Sequence, residues 1–293
     1  MPLNEHNKSL LYIHAAVFLF GFSALFARLV NQPAIVITFG RVFFSSIFLF
    51  LLIRLYKIAI KLDSGKDYFL IMLSGIVLAI HWFCFIRSIQ LSTVAIGTIT
   101  FSTFPVFTSF LEPLFFKERI RVHTVICSLF MLGGILIIVL TGNRELTETV
   151  PGIIVGLISS LSYSVLALLN RNFSSKYKSE TIVFYEQLTA TVFLLPIVFI
   201  IKPEIRSDDI IFLAILGVIF TAIAHGFFVK GLRFVKAGTA GVISGLEVVY
   251  SILLASVFLM EIPRLNEIIG GLIIILLAGY MTLYKEKKKA LPD

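Results

Sequence analysis

Long apolar runs separated by short polar breaks are the feature that most constrains this chain of 293 residues. A helix that crosses a bilayer needs about 20 mostly apolar residues, and the sequence contains ten runs of that kind. They cover approximately residues 10–30, 34–56, 67–88, 94–116, 123–141, 151–170, 181–201, 208–230, 238–260 and 266–285. We therefore predict an all-α integral membrane protein with ten transmembrane helices.

Composition argues against the main alternative, a water-soluble globule with a large core. Hydrophobic residues make up 58% of the chain and charged residues 14%, whereas an ordinary soluble domain has about 45–50% apolar and about 25% charged residues. The net charge of +8 does not indicate binding to nucleic acid, because the basic residues form short clusters between the apolar runs. The lipid bilayer is therefore the expected surrounding.

The positions of Lys and Arg predict the direction in which the helices cross. Cytoplasmic loops of membrane proteins carry an excess of these residues. With the N-terminus inside, most Lys and Arg fall in segments on the inner side, including residues 54–66, 117–121, 171–178, 230–236 and 285–289. We therefore expect both termini to lie in the cytoplasm.

The two halves of the chain are related by a shift of 143 residues. Under this shift Glu118 falls on Glu261, and Arg28 falls on Arg171. Each half holds five predicted helices, an odd number, so the second half enters the membrane from the opposite side. Inverted repeats of this kind are typical of secondary transporters, whose substrate site lies near the midplane between the halves.

A proline in the fourth predicted helix, Pro105, is followed thirteen residues later by Glu118. The sequence thereby resembles the drug/metabolite transporter superfamily, and in particular its members with two EamA-type domains. At the equivalent place in the second half Glu261 is present, but Val248 replaces the proline. This departure argues against a helix break placed symmetrically in both halves.

The resemblance implies two inverted five-helix repeats, residues 10–142 and 151–286, in the plasma (inner) membrane of a bacterium. It also implies a transporter and not an enzyme, with a small-molecule substrate such as an amino acid or a drug. Efflux from the cytoplasm is the usual direction in this superfamily, and alternating access between the two repeats is its expected mode of action.

Ionisable side chains inside apolar helices are costly and therefore indicate functional sites. Here they are Arg41, His81, Glu112, Glu186, His225 and Glu247. Each has small or hydroxylated neighbours three, four or seven residues away, and such residues share one face of a helix. These polar stripes can line a wet cavity, although small residues also serve simply to pack membrane helices together.

We predict a substrate site that combines these charged residues with nearby aromatic side chains. Its predicted members are Arg41, His81, Trp82, Tyr163, Glu186, His225, Glu247 and Tyr250. Arginine suits the capture of a carboxylate because its planar fork binds two oxygens at once. We expect Arg41 to pair with Glu247 or Glu186 when the cavity is empty.

Glu247 is also the candidate for proton coupling, because burial disfavours the charged form of a carboxylate. Glu118 and Glu261, at helix ends beside basic residues, are expected to be structural or to contact the opposite repeat. No P-loop and no HExxH motif is present, so we expect no bound ATP, metal or other cofactor.

Three functions stay open at this point. The first is a secondary carrier, with or without proton coupling. The second is an intramembrane enzyme acting on a lipid-linked substrate, for which the sequence offers no metal or nucleophile motif. The third is a structural membrane protein that does not transport, against which the charges inside the apolar helices argue.

Overall fold

The computed structural model describes residues 5–115, 146–235 and 237–287, together with positions 126, 130, 133, 134 and 137. All regular elements of these residues are helical. The first half holds α1 (Glu5–Ser23), α2 (Phe26–Leu29), α3 (Ala34–Leu55), α4 (Gly65–Leu91), α5 (Val94–Phe101) and α6 (Phe104–Phe115). The second half holds α7 (Leu146–Ser174), α8 (Ser179–Ile201), α9 (Ser207–Gly217), a π-helix (Val218–Ile223), α10 (Ala224–Gly231), α11 (Ala237–Ser244), α12 (Leu246–Phe258) and α13 (Leu265–Lys287).

Seven stretches within the described residues are helical, long and apolar enough to cross a membrane. They are Glu5–Leu29, Ala34–Leu55, Gly65–Leu91, Val94–Phe115, Val150–Ser174, Ser179–Ile201 and Ser207–Gly231, which correspond to predicted helices one to four and six to eight. Two shorter apolar helices, Leu246–Phe258 and Leu265–Leu277, lie within the predicted ninth and tenth. The predicted fifth helix, 123–141, lies largely outside the described residues, so the count of ten stays a prediction.

The distribution of side chains is that of a protein surrounded by lipid. Large apolar side chains such as Leu55 and Ile200 are mostly exposed on the outside of the bundle, whereas Arg41, Glu186 and His225 are buried inside it. A water-soluble protein hides its large apolar side chains and keeps its charges at the surface. The reversal seen here identifies the bilayer as the solvent of this fold.

Contacts between the two halves build one shared core. Helix α4 packs along α7, α3 packs along α8, and α1 packs against both α10 and α12. Glycines allow the closest approaches: a Cβ on Gly75 would lie 2.6 Å from the Cβ of Thr189, and a Cβ on Gly217 would lie 2.6 Å from the Cβ of Phe44. The interior of the bundle is therefore an interface between the halves.

The fourth helix of each half is interrupted at an equivalent place. In the first half α5 ends at Phe101 and α6 begins at Phe104, and in the second half α11 ends at Ser244 and α12 begins at Leu246. Phe101 and Ser244 are 143 residues apart, the same shift that relates the halves. The break therefore persists although Val248 stands where the first half has a proline.

Local chemistry explains how both breaks arise. In the first half the hydroxyls of Ser102 and Thr103 donate to carbonyls of the preceding turn, of Ile99 and of Thr100, which competes with helical bonding. Pro105 lies in the first turn of α6, where its missing N–H costs no hydrogen bond. In the second half the interruption falls at Gly245, and glycine weakens a helix without any proline.

Hydrogen bonds tie the halves together at both ends of the bundle. At the end called here the Arg28 end, the Gln32 amide donates to Asp209 at 2.9 Å. At the opposite end, called the Glu5 end, the Thr181 hydroxyl donates to the carbonyl of Ala59 at 2.9 Å. Which end faces the cytoplasm stays a prediction.

Candidate functional site

A small cavity lies between the two halves in the middle of the bundle. Its walls are Phe20, Ser23, Arg41, His81, Trp82, Phe85, Phe101, Tyr163, His225 and Glu247. Helices α1, α3, α4 and α5 supply the side chains of the first half, and α7, α10 and α12 supply those of the second. The volume that the centre of a water molecule can occupy inside it is about 20 Å³. This is room for about one water molecule.

Arg41 on α3 is the cation of this cavity and is only 1% exposed. Its guanidinium carbon lies 3.9 Å from the centre of the Trp82 ring, a cation–π contact. Its Nε donates to the hydroxyl of Thr221 at 3.1 Å, and that hydroxyl donates to the carbonyl of Leu216 at 2.7 Å. Thr221 lies in the π-helix, so an element common at functional sites holds the arginine in place.

The predicted pairing of Arg41 with a glutamate is not formed. Among the described residues no carboxylate oxygen lies within the 4.0 Å of an ion pair with Arg41. Glu247 is buried in the first turn of α12, where the partial positive charge of a helix N-terminus favours an anion. The guanidinium of Arg41 and the carboxyl group of Glu247 thus line the same small space without forming an ion pair.

Glu186 has a different partner from the one expected. Its Oε2 lies 3.0 Å from Nε2 of His225, and the two side chains are 0% and 1% exposed. His225 lines the cavity, whereas Glu186 is not among the lining residues. Glu186 therefore lies behind His225, within the wall of the site.

His81 is fixed against the second half of the chain. Its Nδ1 lies 3.1 Å from the carbonyl oxygen of Ser159 and 2.9 Å from the hydroxyl of the same residue. The Ser159 hydroxyl donates in return to the carbonyl of His81 at 3.0 Å. The His81 and Tyr163 rings lie 4.7 Å apart, so Tyr163 forms the adjoining part of the aromatic wall.

The structure brings six of the eight predicted site residues to the cavity surface, the exceptions being Glu186 and Tyr250. Tyr250 lies on α12, with its ring 5.4 Å from that of Phe18 in an edge-to-face contact. A Cβ on Gly21 would lie 2.5 Å from the Cβ of Tyr250, so the tyrosine packs tightly on α1. Its place is in a helix interface and not in the cavity.

Several residues of the site could not be identified, or only weakly, from the sequence pattern. Phe20, Phe85 and Phe101 line the cavity, but the chain has 29 phenylalanines and most of them must face lipid or core. Thr221 shares a polar helical face with His225, and only this shared face connects it with the site in the sequence. No group of three His, Cys, Asp or Glu side chains that could hold a metal occurs within the described ranges.

Comparison with known proteins finds a transporter family and relatives that are named as transporters. The model of the EamA-like transporter family matches residues 7–140 and again residues 150–283. An uncharacterized transporter of Archaeoglobus fulgidus is 28% identical over 92% of this chain and 93% of its own length. The S-adenosylmethionine uptake transporter of Rickettsia conorii is 25% identical over 86% of this chain and 83% of its own length.

The fold also matches a solved crystal structure. The two superpose with a TM-score of 0.70 over 97% of this chain and 99% of the other, at 16% sequence identity. At that identity the likeness concerns the fold alone. It shows that the arrangement of helices described above occurs in an experimentally determined protein.

Proposed function

This chain belongs to the EamA-like transporter family, and we propose that it is a secondary carrier for a small zwitterionic metabolite, such as an amino acid. The observation that carries the proposal is the central cavity, which Arg41 enters from the first half and Glu247 from the second. Inverted-repeat carriers bind their substrates between the halves and expose them to each side in turn. The positions of Arg41 and Glu247 on opposite halves support such a site.

The chemistry of the cavity supports a substrate with both charges. The guanidinium of Arg41 can bind a carboxylate through two parallel hydrogen bonds, and the carboxylate of Glu247 can accept from an ammonium group. Around them Trp82, His81 and Tyr163 form a wall of rings against which an apolar or aromatic side chain can pack. A lipophilic cation would leave Arg41 uncompensated, so this arrangement favours a zwitterion.

The relative from Rickettsia conorii transports S-adenosylmethionine, a molecule that carries an α-amino acid group. That group has the same carboxylate and ammonium that the proposal assigns to Arg41 and Glu247. The cavity, with room for about one water, is too small for either S-adenosylmethionine or an amino acid in this conformation. Substrate entry therefore requires the halves to separate at one end.

We further propose efflux as the direction and the proton as the coupling ion, with Glu247 as the carboxylate that exchanges a proton with the cavity. Glu247 is suited to this because it is buried and lies at the cavity surface. Substrate and proton would then compete for one side chain. Because the Rickettsia conorii relative is an uptake transporter, direction has to be measured for this chain.

The test is flux in reconstituted liposomes supplied with a mixture of amino acids and S-adenosylmethionine, with and without a pH gradient. Mass spectrometry identifies what accumulates. Arg41→Lys and Glu247→Gln are the test variants, and Glu204→Gln, which changes an exposed side chain, is the matched control. We expect accumulation by the unsubstituted protein and the control, and little by the two variants.

Different results would separate the parts of the proposal. Accumulation that ignores the pH gradient would refute proton coupling and leave a uniporter. Normal, gradient-driven transport by Glu247→Gln would remove the proton role of that residue. Failure of the unsubstituted protein to accumulate any zwitterion would refute the substrate class.

A further inference from the structure

A second polar cluster lies in the wall of the cavity, and the proposed substrate site does not use it. It consists of Asn170 on α7, Glu186 and Gln187 on α8, and His225 on α10, all at most 1% exposed. The 3.0 Å contact between Glu186 Oε2 and His225 Nε2 is its centre, and the Asn170 amide lies next to the Glu186 carboxyl group. A cluster this polar and this buried is costly unless its groups satisfy one another.

The cluster leaves several buried polar atoms unpaired. Glu186 Oε1, Asn170 Oδ1 and both amide atoms of Gln187, Oε1 and Nε2, have no hydrogen-bond partner within the part of the chain that the structure describes. When Glu186 is ionised, three of these four atoms are acceptor oxygens and only Gln187 Nε2 is a donor. A proton on Glu186 would add a second donor to a group in which acceptors are in excess.

Charge balance leads to the same conclusion. With neutral His225 and ionised Glu186, the pair would bury one net negative charge, which is strongly disfavoured in a dry interior. One added proton, whether it resides on His225 or on Glu186, makes the pair neutral overall. The closed structure therefore favours the pair with one proton bound.

His225 connects the pair to the cavity. Its Nε2 faces Glu186, while the residue lines the cavity and its ring lies 5.9 Å from that of Trp82 in an edge-to-face contact. The other charged and titratable side chains around it are Arg41 on α3, His81 on α4, Tyr163 on α7 and Glu247 on α12, which all line the same cavity. Water that enters the cavity thus reaches His225 before Glu186.

We propose that Glu186 and His225 together form a proton-binding site, separate from Glu247, that keeps one proton while the cavity is closed and exchanges it when water enters. The role of this site in transport rests on the proposed carrier function, whereas its occupancy by a proton does not. Because the pair lies at the cavity wall, opening of the cavity would admit the substrate and water together, and the water would take up the proton.

The single tryptophan of the chain provides the assay. Trp82 touches the His225 ring, and a charged imidazolium quenches indole fluorescence, so the emission of Trp82 reports proton binding at the pair. We would titrate the purified protein in detergent against pH without any substrate. His225→Gln retains a donor toward Glu186 but cannot take up a proton, and Glu186→Gln removes the partner charge.

We expect a pH-dependent step in the unsubstituted protein that is absent in His225→Gln. In Glu186→Gln the step should move to a different pH, since the opposite charge in contact with the imidazole is removed. His81→Asn is the matched control, because the His81 ring also lies near Trp82, at 6.4 Å, but has no carboxylate partner. It should keep the step, as should Glu247→Gln.

The proposal is overturned if no step occurs, if His225→Gln or Glu186→Gln titrates like the unsubstituted protein, or if His81→Asn alone removes the step. Circular dichroism identifies variants that fail to fold. If one of the two pair variants does not fold, the proposal is judged from the fluorescence titrations of the unsubstituted protein and of the variant that does fold. Flux in liposomes separates the two proposals. A normal fluorescence step in a protein that accumulates no zwitterion refutes the proposed substrate class and leaves the proton-binding site standing. Gradient-driven transport by a folded His225→Gln refutes coupling through the pair.

Discussion

Glu261 makes a contact that should hold one end of the bundle closed. Its Oε1 accepts a hydrogen bond of 2.8 Å from the backbone N–H of Val94, and its Oε2 lies 4.0 Å from Nε of Arg28. Val94 begins α5, in the broken helix of the first half, while Glu261 follows α12 in the second. One side chain therefore joins the two halves at the Arg28 end.

The energy of this contact follows from its parts. A hydrogen bond to a charged group contributes about 1.5–3 kcal/mol, and a negative charge at a helix N-terminus adds about 0.3–1 kcal/mol. The Glu261 and Arg28 side chains are 22% and 35% exposed, so their ion pair adds little, and we take the lower end, about 2 kcal/mol. If the contact exists only while the Arg28 end is closed, Glu261→Ala shifts the equilibrium toward opening about 30-fold.

Quenching of Trp82 fluorescence by acrylamide measures the opening, because the side chain is buried in the closed cavity. Glu261→Ala should be quenched more strongly than the unsubstituted protein, and Glu261→Gln, which keeps an acceptor for the Val94 N–H, should lie in between. Glu204→Gln, an exposed change in the described part of the same end, should have no effect. Equal quenching of Glu261→Ala and the unsubstituted protein would show that this contact does not hold the end closed.

Two further predictions concern packing and pH. Gly217→Ala places a Cβ 2.8 Å from the carbonyl oxygen of Arg41. The overpacking should cost about 1–3 kcal/mol of stability and lower the thermal unfolding temperature. Gly226→Ala is the control, because its Cβ meets nothing within 4 Å, and it should leave the unfolding temperature unchanged. In the loop after α7, partial burial and a hydrogen bond to Asp67 raise the pKa of Tyr177 from 10.0 to about 12. The stabilisation from this neutral phenol is therefore complete below pH 10 and lost as pH rises through about 12, and ultraviolet titration of the protein against Tyr177→Phe should show a late phenolate step that the variant lacks.

Sequence reasoning identified the polar faces of the helices because helical periodicity alone determines which residues share a face. Arg41, His81, His225 and Glu247 reach one cavity for this reason. Periodicity does not say which helices are neighbours, and so it predicts that Arg41 pairs with Glu247 or Glu186. The packing of α8 against α10 instead gives Glu186 His225 as its partner.

Departures from regular helix geometry were also beyond the sequence pattern. The π-helix that presents Thr221 to Arg41 adds a residue to one turn and leaves no mark in an apolar run. The break at Gly245 was not expected because the argument depended on proline at the position of Val248. Glu118 lies outside the described residues, so its predicted structural role stays a prediction.

The two halves share a backbone plan but differ in their charges, and this difference gives the site its polarity. Both fourth helices break at equivalent positions, yet only the second places a carboxylate, Glu247, in the first turn after the break; the equivalent residue of the first half is Phe104. The second helices of the halves are equivalent as well, and there Arg41 is matched, two positions out of register, by Glu186. In the proposed carrier, similar halves would rock between two equivalent arrangements, as alternating access requires. Because Arg41 comes from one half and Glu247 from the other, a zwitterion bound as proposed would span the interface, and separating the halves at either end would loosen one of its two contacts.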